Sequence, residues 1–140
     1  MENQKISITG IIILLLASAT TVVHSKNFPD ISIIVLLFLS LKYDTPALLF
    51  WAFLSGLVHD GFNVDKIWVS PISFPLLTLS TSWAKSNFNL TFAPAKLIFA
   101  IGFVALPFVI YSLLWNISLM AIGSKFILTL ALAIIAAFFV

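Results

Sequence analysis

The chain has 140 residues, of which 61% are hydrophobic and 9% charged, with a net charge of +2 and a mean hydropathy of +1.17. In soluble domains roughly a quarter of all residues are charged. The composition of this chain therefore excludes an ordinary soluble globular protein, a disordered chain and a fibrous repeat. We therefore expect an integral membrane protein. Because a membrane helix takes roughly 20 residues, about six spans fill the chain and make residues 1–140 a single membrane domain.

Six apolar stretches follow one another, separated by polar residues. We expect them to form helices from Ile6 to Val23, Ile31 to Leu41, Ala47 to Val58, Pro71 to Trp83, Ala95 to Trp115 and Phe126 to Val140. The first is interpreted as a retained span, since no small-residue cleavage site follows it as in a signal peptide. The second is short, so we expect it to include Pro29 through Tyr43 and to be tilted or partly interfacial. The predicted fold class is an all-α, polytopic transmembrane bundle.

The connectors carry helix-start signals. Asp30 is placed to cap the second helix or to complement its dipole, and Asp44 or Thr45 to cap a third helix that begins at Pro46. The longest polar loop is expected from Phe62 to Ser70. The lysines favour a cytoplasmic N-terminus, because four then lie inside and three outside: Lys5, Lys42, Lys85 and Lys96 against Lys26, Lys66 and Lys125.

Several function classes lack their characteristic residues. The chain has no Cys and no Arg, which removes thiolate chemistry and bidentate phosphate recognition. Its small net charge argues against nucleic acid as a partner. No phosphate loop, zinc-protease motif or nucleophile elbow occurs. We therefore expect no enzyme activity, no catalytic residue, no metal and no cofactor.

The polar residues that end the third stretch are the main candidates for a functional site. Ala52, Gly56 and Asp60 are spaced by four and share one helix face. Small residues at this spacing let another helix approach closely, so we expect the face to dock a neighbouring helix and Asp60 to anchor a loop or a partner. A proton relay through His59 and Asp60 is the alternative, but we prefer a helix end in the headgroup region because the pair does not lie mid-membrane. The hydroxyls of the fourth stretch are expected to bond their own helix backbone.

Three segments together resemble the MreD family of bacterial rod shape-determining membrane proteins. They are Phe28-Pro29-Asp30, which opens one apolar span, the turn Lys42-Tyr43, and Gly56-Leu57-Val58-His59-Asp60-Gly61, which ends the next span. The family pattern is a Pro with an acidic or amide residue, a short basic turn and a Gly-Leu-x-x-Asp. The resemblance therefore assigns family-motif positions to Pro29, Asp30, Gly56, Leu57 and Asp60.

The resemblance implies a non-catalytic, multi-pass subunit of the cytoplasmic (inner) membrane that serves the cell-wall elongation machinery. Its expected direct partners are membrane lipids and the membrane helix of an MreC-like protein. RodA and the elongation-specific penicillin-binding protein are expected as further members of the complex, and MreB filaments as an indirect partner. Self-association is left open. The resemblance also implies a fold similar to the substrate-binding S components of energy-coupling-factor vitamin transporters.

Two other functions remain open from the sequence. One is a capture subunit for a vitamin-like molecule, which needs an apolar cavity with convergent polar groups. The other is a small proton-coupled transporter that uses His59 and Asp60. We prefer the scaffold, because the sequence contains a strip of small residues for a partner helix and no evident convergent polar cluster.

Overall fold

The computed structural model of the chain describes residues 7–20, 28–43, 46–61 and 69–140. Throughout these ranges the protein is all-helical, without a strand, which confirms the all-α class. The six helices are α1 (Ile8–Ala19), α2 (Ile31–Lys42), α3 (Pro46–Asp60), α4 (Val69–Asn87), α5 (Ala93–Trp115) and α6 (Leu119–Phe138). Among the described residues, α5 is the one helix that is both long enough and apolar enough to span a membrane, with a mean hydropathy of 2.5. Four shorter helical stretches are also apolar: Ile8–Ala19, Ile31–Lys42, Pro46–Asp60 and Ile122–Phe138.

Most helix boundaries lie close to those predicted. Pro46 begins α3, as expected from its fixed φ angle, while the predicted caps Asp44 and Thr45 lie outside the described residues. The predicted end of the first helix at Val23 also lies outside them, as does most of the Phe62 to Ser70 loop. Ser70 itself belongs to α4, so the prediction that this residue lies in a loop is wrong.

The last helix begins seven residues before the predicted Phe126. Asn116 ends α5 in the left-handed region with φ of 49°, a conformation that Asn tolerates better than most residues. The hydroxyl of Ser112 donates to the carbonyl of Ile117 at 2.9 Å and closes the turn. The predicted connector from Asn116 to Ser124 is therefore wrong, because this tight reversal lets α6 start at Leu119.

Helix α2 is the centre of the bundle and packs against all five other helices. Its inward side chains Ile33, Leu36 and Leu37 are 0–1% exposed. On α6, Ala133 and Ala137 are also buried and belong to the same core cluster as these residues. Small side chains four residues apart lie on one helix face and permit close helix contact, so this alanine pair has a packing role against the core.

The strip formed by Ala52, Gly56 and Asp60 faces the interior of the bundle, where α3 and α4 form the most extensive helix pair. A Cβ atom built on Gly56 would lie 2.5 Å from the backbone C and O atoms of Ser70 and from the N atom of Pro71. The strip therefore docks a helix, but that helix is α4 of the same chain. A partner helix has no access to this face, so the expectation that the strip provides a partner groove is wrong.

Four hydroxyls of α4 bond the backbone of their own helix, as predicted for this segment. The side chains of Ser73, Thr78, Ser80 and Thr81 donate to carbonyls three or four residues earlier, at 2.7–3.4 Å. Such bonds let hydroxyl residues be buried in an apolar bundle without separate partners.

We predict that Gly56→Ala lowers the thermal stability of the protein. The added Cβ meets backbone atoms, which cannot rotate away, and overpacking of this kind costs about 1–3 kcal/mol. The measurement is thermal unfolding in detergent micelles.

Gly102→Ala is the matched control, since a Cβ there meets nothing within 4 Å and Ala is the better helix former. Its melting temperature is expected to equal or exceed that of the wild type. Equal melting temperatures for the two variants would contradict the close α3–α4 approach.

Candidate functional site

Two buried aspartates meet around one histidine at one end of the bundle. Asp30 and Asp60 are each 3% exposed, and His59 is 9% exposed. The Nε2 atom of His59 lies 3.1 Å from Oδ2 of Asp30, and its Nδ1 atom lies 3.0 Å from Oδ1 of Asp60. These three residues and the polar groups that bond to them are called the Asp–His–Asp network.

Asp30 is positioned by the start of α2. Its backbone N–H donates to Oγ1 of Thr129 on α6 at 2.8 Å, and the hydroxyl of Ser32 donates to its Oδ1 atom. Asp30 occupies the N-cap position of α2, but its side chain bonds no backbone N–H of the helix. The predicted side-chain cap is therefore wrong, because Ser32 and His59 bind the carboxylate, while the predicted placement of a negative charge at the start of α2 is confirmed.

Asp60 is the last residue of α3 and binds the beginning of α4. Its Oδ2 atom accepts the backbone N–H of Ser70 at 2.8 Å, so the carboxylate serves the first turn of α4, where a negative charge is favourable. The hydroxyl of Tyr111 on α5 donates to Oδ1 of Asp60 at 3.2 Å. The Ser70 hydroxyl contacts both the Tyr111 hydroxyl and, at 3.0 Å, Nδ1 of His59.

The geometry favours a doubly protonated imidazole. Both ring nitrogens of His59 face carboxylate oxygens, which accept hydrogen bonds, and only the imidazolium has an N–H on each nitrogen. Lys125 on α6 adds a further attractive charge toward Asp30. Two carboxylates thus share one imidazole, and such pairing with hydrogen bonds is how buried charges are made tolerable in a low-dielectric interior.

The arrangement is suited to joining helices. Asp30, His59 and Ser70 have the residue types of a Ser-His-Asp catalytic triad. A nucleophile must reach its substrate, but Ser70 is fully buried and its hydroxyl contacts the hydroxyl of Tyr111. No three potential ligands among the described side chains converge on a metal position. Instead, direct hydrogen bonds connect α2, α3, α4, α5 and α6 at one point.

The sequence singled out part of this site. Asp30, Gly56 and Asp60 are buried here, while Pro29 and Leu57 are half-buried beside them. His59 joins the two aspartates, and α3 ends before Gly61 as predicted. The expectations that this pair lies in the headgroup region and that no polar cluster converges are wrong, because both side chains are buried among hydrogen-bond partners from other helices.

Four members of the network were missed: Ser32, Ser70, Tyr111 and Thr129. Thr129 is an isolated polar residue, and Tyr111 with Ser112 a short polar pair, within apolar stretches, a signal that could have identified Tyr111 and Thr129. Comparison of the chain with protein-family models, with curated proteins and with solved structures finds no match in any of the three.

We predict that His59→Leu strongly destabilises the protein, because it leaves two buried carboxylates facing each other without their shared cation. Removing one member of a buried charge cluster typically costs about 3–5 kcal/mol. The triple variant Asp30→Asn, His59→Leu, Asp60→Asn removes the charges together and is expected to be more stable than the single variant. Thermal unfolding in detergent measures both.

Tyr111→Phe tests the outer part of the network and is expected to lower stability by about 1–3 kcal/mol, since it leaves buried groups without their partner. Tyr43→Phe is the control on the chain's other tyrosine. An unchanged melting temperature for both His59→Leu and Tyr111→Phe would refute a stabilising role for the network.

Proposed function

We propose that this chain is a non-catalytic scaffold of the bacterial inner membrane that binds the membrane helix of an MreC-like protein in the cell-shape machinery. One observation carries the proposal. Asp30 and Asp60, one from each half of the MreD-like motif, lie apart in sequence yet share one buried network through His59. A motif used in this way builds the bundle itself, as a scaffold requires.

The distribution of polar and apolar side chains supports a membrane location. The charged groups Asp30, His59 and Asp60 are inside, whereas large apolar side chains such as Leu113, at 78% exposure, are outside. Helix α5 has 23 residues and is about 35 Å long at 1.5 Å per residue, which suits a hydrocarbon core of about 30 Å. The inside-out distribution favours a polytopic bundle over a single anchor.

The described lysines support the orientation with a cytoplasmic N-terminus. Lys42 ends α2, Lys85 lies in the last turn of α4 and Lys96 in the first turns of α5. These positions share one end of the bundle, where the Lys85 ammonium donates to the carbonyl of Tyr43 at 3.2 Å. Lys125 lies toward the opposite end, one turn from Thr129, which bonds Asp30. Three described lysines against one thus support a cytoplasmic location for the end that carries Lys42.

The partner helix is assigned to the outer face of α5, since the strip around Gly56 is filled by α4. Exposed residues recur there at intervals of three and four, which places them on one stripe: Ile98, Gly102, Leu106, Val109 and Leu113. Gly102 has open space around it, and a small residue in such a stripe lets a second helix approach closely.

We predict that Gly102→Leu reduces recovery of a co-expressed MreC-like protein at least five-fold without lowering the melting temperature. The bulky side chain separates the helices, while its Cβ meets nothing within 4 Å inside the protein. Gly123→Leu on α6 is the matched control, since Gly123 also has no neighbour within 4 Å. The measurement is co-purification from carbonate-washed membranes.

Because the chain has no Cys, single cysteines on the α5 stripe provide an independent readout. Leu106→Cys is expected to crosslink to the partner, and Leu36→Cys, at a buried position, is not. Full partner recovery with Gly102→Leu and no crosslink from the stripe would contradict this assignment. Release of the chain by carbonate would contradict the membrane location itself.

A substrate-capture subunit is the second candidate, and one cavity favours it. A space of about 300 Å³ lies between α2, α3 and α4, with Ser40, Tyr43 and Thr78 in its wall. The Oγ atom of Ser40 is buried and has no hydrogen-bond partner among the described residues, a condition that costs free energy unless a ligand or water supplies the bond.

For this candidate, we predict that a vitamin-like ligand raises the melting temperature of the wild type and not that of Ser40→Ala. Ser80→Ala is the control, since its hydroxyl bonds the helix backbone outside this cavity. A ligand screen without any stabilisation rejects the capture subunit and leaves the scaffold.

A further inference from the structure

A groove with apolar walls runs between α1, α2 and α6. It encloses about 430 Å³, and its walls include Ile13 of α1, Val35 of α2 and Ala136 of α6. This volume lies within the range of about 300–1,000 Å³ that is typical of ligand sites. We call it the α1/α2/α6 groove.

One end of the groove is polar and positively charged. Ser7 and Thr9, at the start of α1, and Lys42, at the end of α2, contribute to the lining. The ammonium of Lys42 lies 5.8 Å from the ring centre of Phe38 and 5.6 Å from that of Tyr43. Both rings also line the groove, so cation–π contacts hold the positive charge at its mouth.

Lys42 is available to an external anion. Its side chain is exposed, and no carboxylate in the described part of the chain forms an ion pair with it. The hydroxyls of Ser7 and Thr9 are exposed at the same end and can donate further hydrogen bonds. An anionic group would pair with the positive charge at this end of the groove, and a flexible hydrocarbon chain would pack against its apolar walls.

We propose that the α1/α2/α6 groove binds one anionic phospholipid. Its acyl chain lies along Ile13, Val35 and Ala136, and its phosphate lies at Lys42 within reach of Ser7 and Thr9. The proposal rests on the membrane location argued above, which supplies such lipids at high local concentration. Apolar contacts do not separate one phospholipid from another, so the headgroup charge provides the selectivity.

The test is lipid enrichment on the full chain. The protein is reconstituted in vesicles of equal phosphatidylglycerol and phosphatidylcholine, extracted in mild detergent, and its retained lipids are quantified by mass spectrometry. One lysine near a lipid headgroup corresponds to a preference of about five-fold, so we expect the wild type to retain phosphatidylglycerol over phosphatidylcholine by that factor. Lys42→Gln is expected to lose the preference.

Two variants separate this site from general charge attraction. Lys96→Gln removes a lysine from the same end of the bundle but outside the groove, and is expected to keep the preference. Ala136→Leu fills the groove and is expected to reduce total retained lipid. If Ala136→Leu fails to fold, the exposed Lys42 and its Lys96 control still decide the outcome.

Three results would overturn the proposal: no enrichment in the wild type, equal loss of the preference in Lys42→Gln and Lys96→Gln, or loss of the wild-type preference when dissolved glycerol phosphate is added, which would identify a free-anion site. A chain that resists carbonate extraction but shows no enrichment refutes the lipid site alone. A chain that carbonate releases refutes the membrane location on which both proposals depend.

Discussion

The imidazole of His59, placed between two buried carboxylates, is the constraint on which the rest of the structure depends. An aspartate inside an apolar bundle is tolerated only if a cation and hydrogen-bond donors satisfy it. Asp30 begins α2 and Asp60 ends α3, so satisfying both with one imidazole requires these two helix ends to meet. Ser70, Tyr111 and Thr129 supply the remaining hydrogen bonds, and thereby bring three further helices to the same point.

The close approach at Gly56 and the network at Asp60 are one arrangement. The missing side chain of Gly56 leaves room for the backbone of Ser70 and Pro71. In that position the N–H of Ser70 reaches the carboxylate of Asp60, one helical turn further along α3. The spacing Gly-Leu-x-x-Asp thus has a physical reason: the glycine admits the start of the next helix, and the aspartate four residues later binds it.

Asp30, His59 and Asp60 are buried, while large apolar side chains such as Leu113 are exposed, and this distribution is the basis on which we propose a hydrocarbon surrounding. The internal polar groups are occupied in joining helices, so contacts with other molecules are left to the outer surface. The two proposed contacts differ in chemistry. The proposed contact at the α5 stripe is close packing of a partner helix against Gly102. The proposed contact at the α1/α2/α6 groove is an ionic interaction between Lys42 and a lipid headgroup.

The sequence by itself determined the all-α class and most helix positions, because long apolar runs and residues such as Pro46 act locally. It also singled out Asp30, Gly56 and Asp60 by their type and spacing. It did not determine what these residues touch. These contacts join residues 10–99 positions apart in the sequence. They place Gly56 against α4 and not against a partner, join two aspartates through His59, and complete the network with Tyr111 and Thr129. Only the packing of helices around α2 brings such groups within hydrogen-bond distance. Local sequence patterns do not predict contacts between residues that are so far apart in the chain.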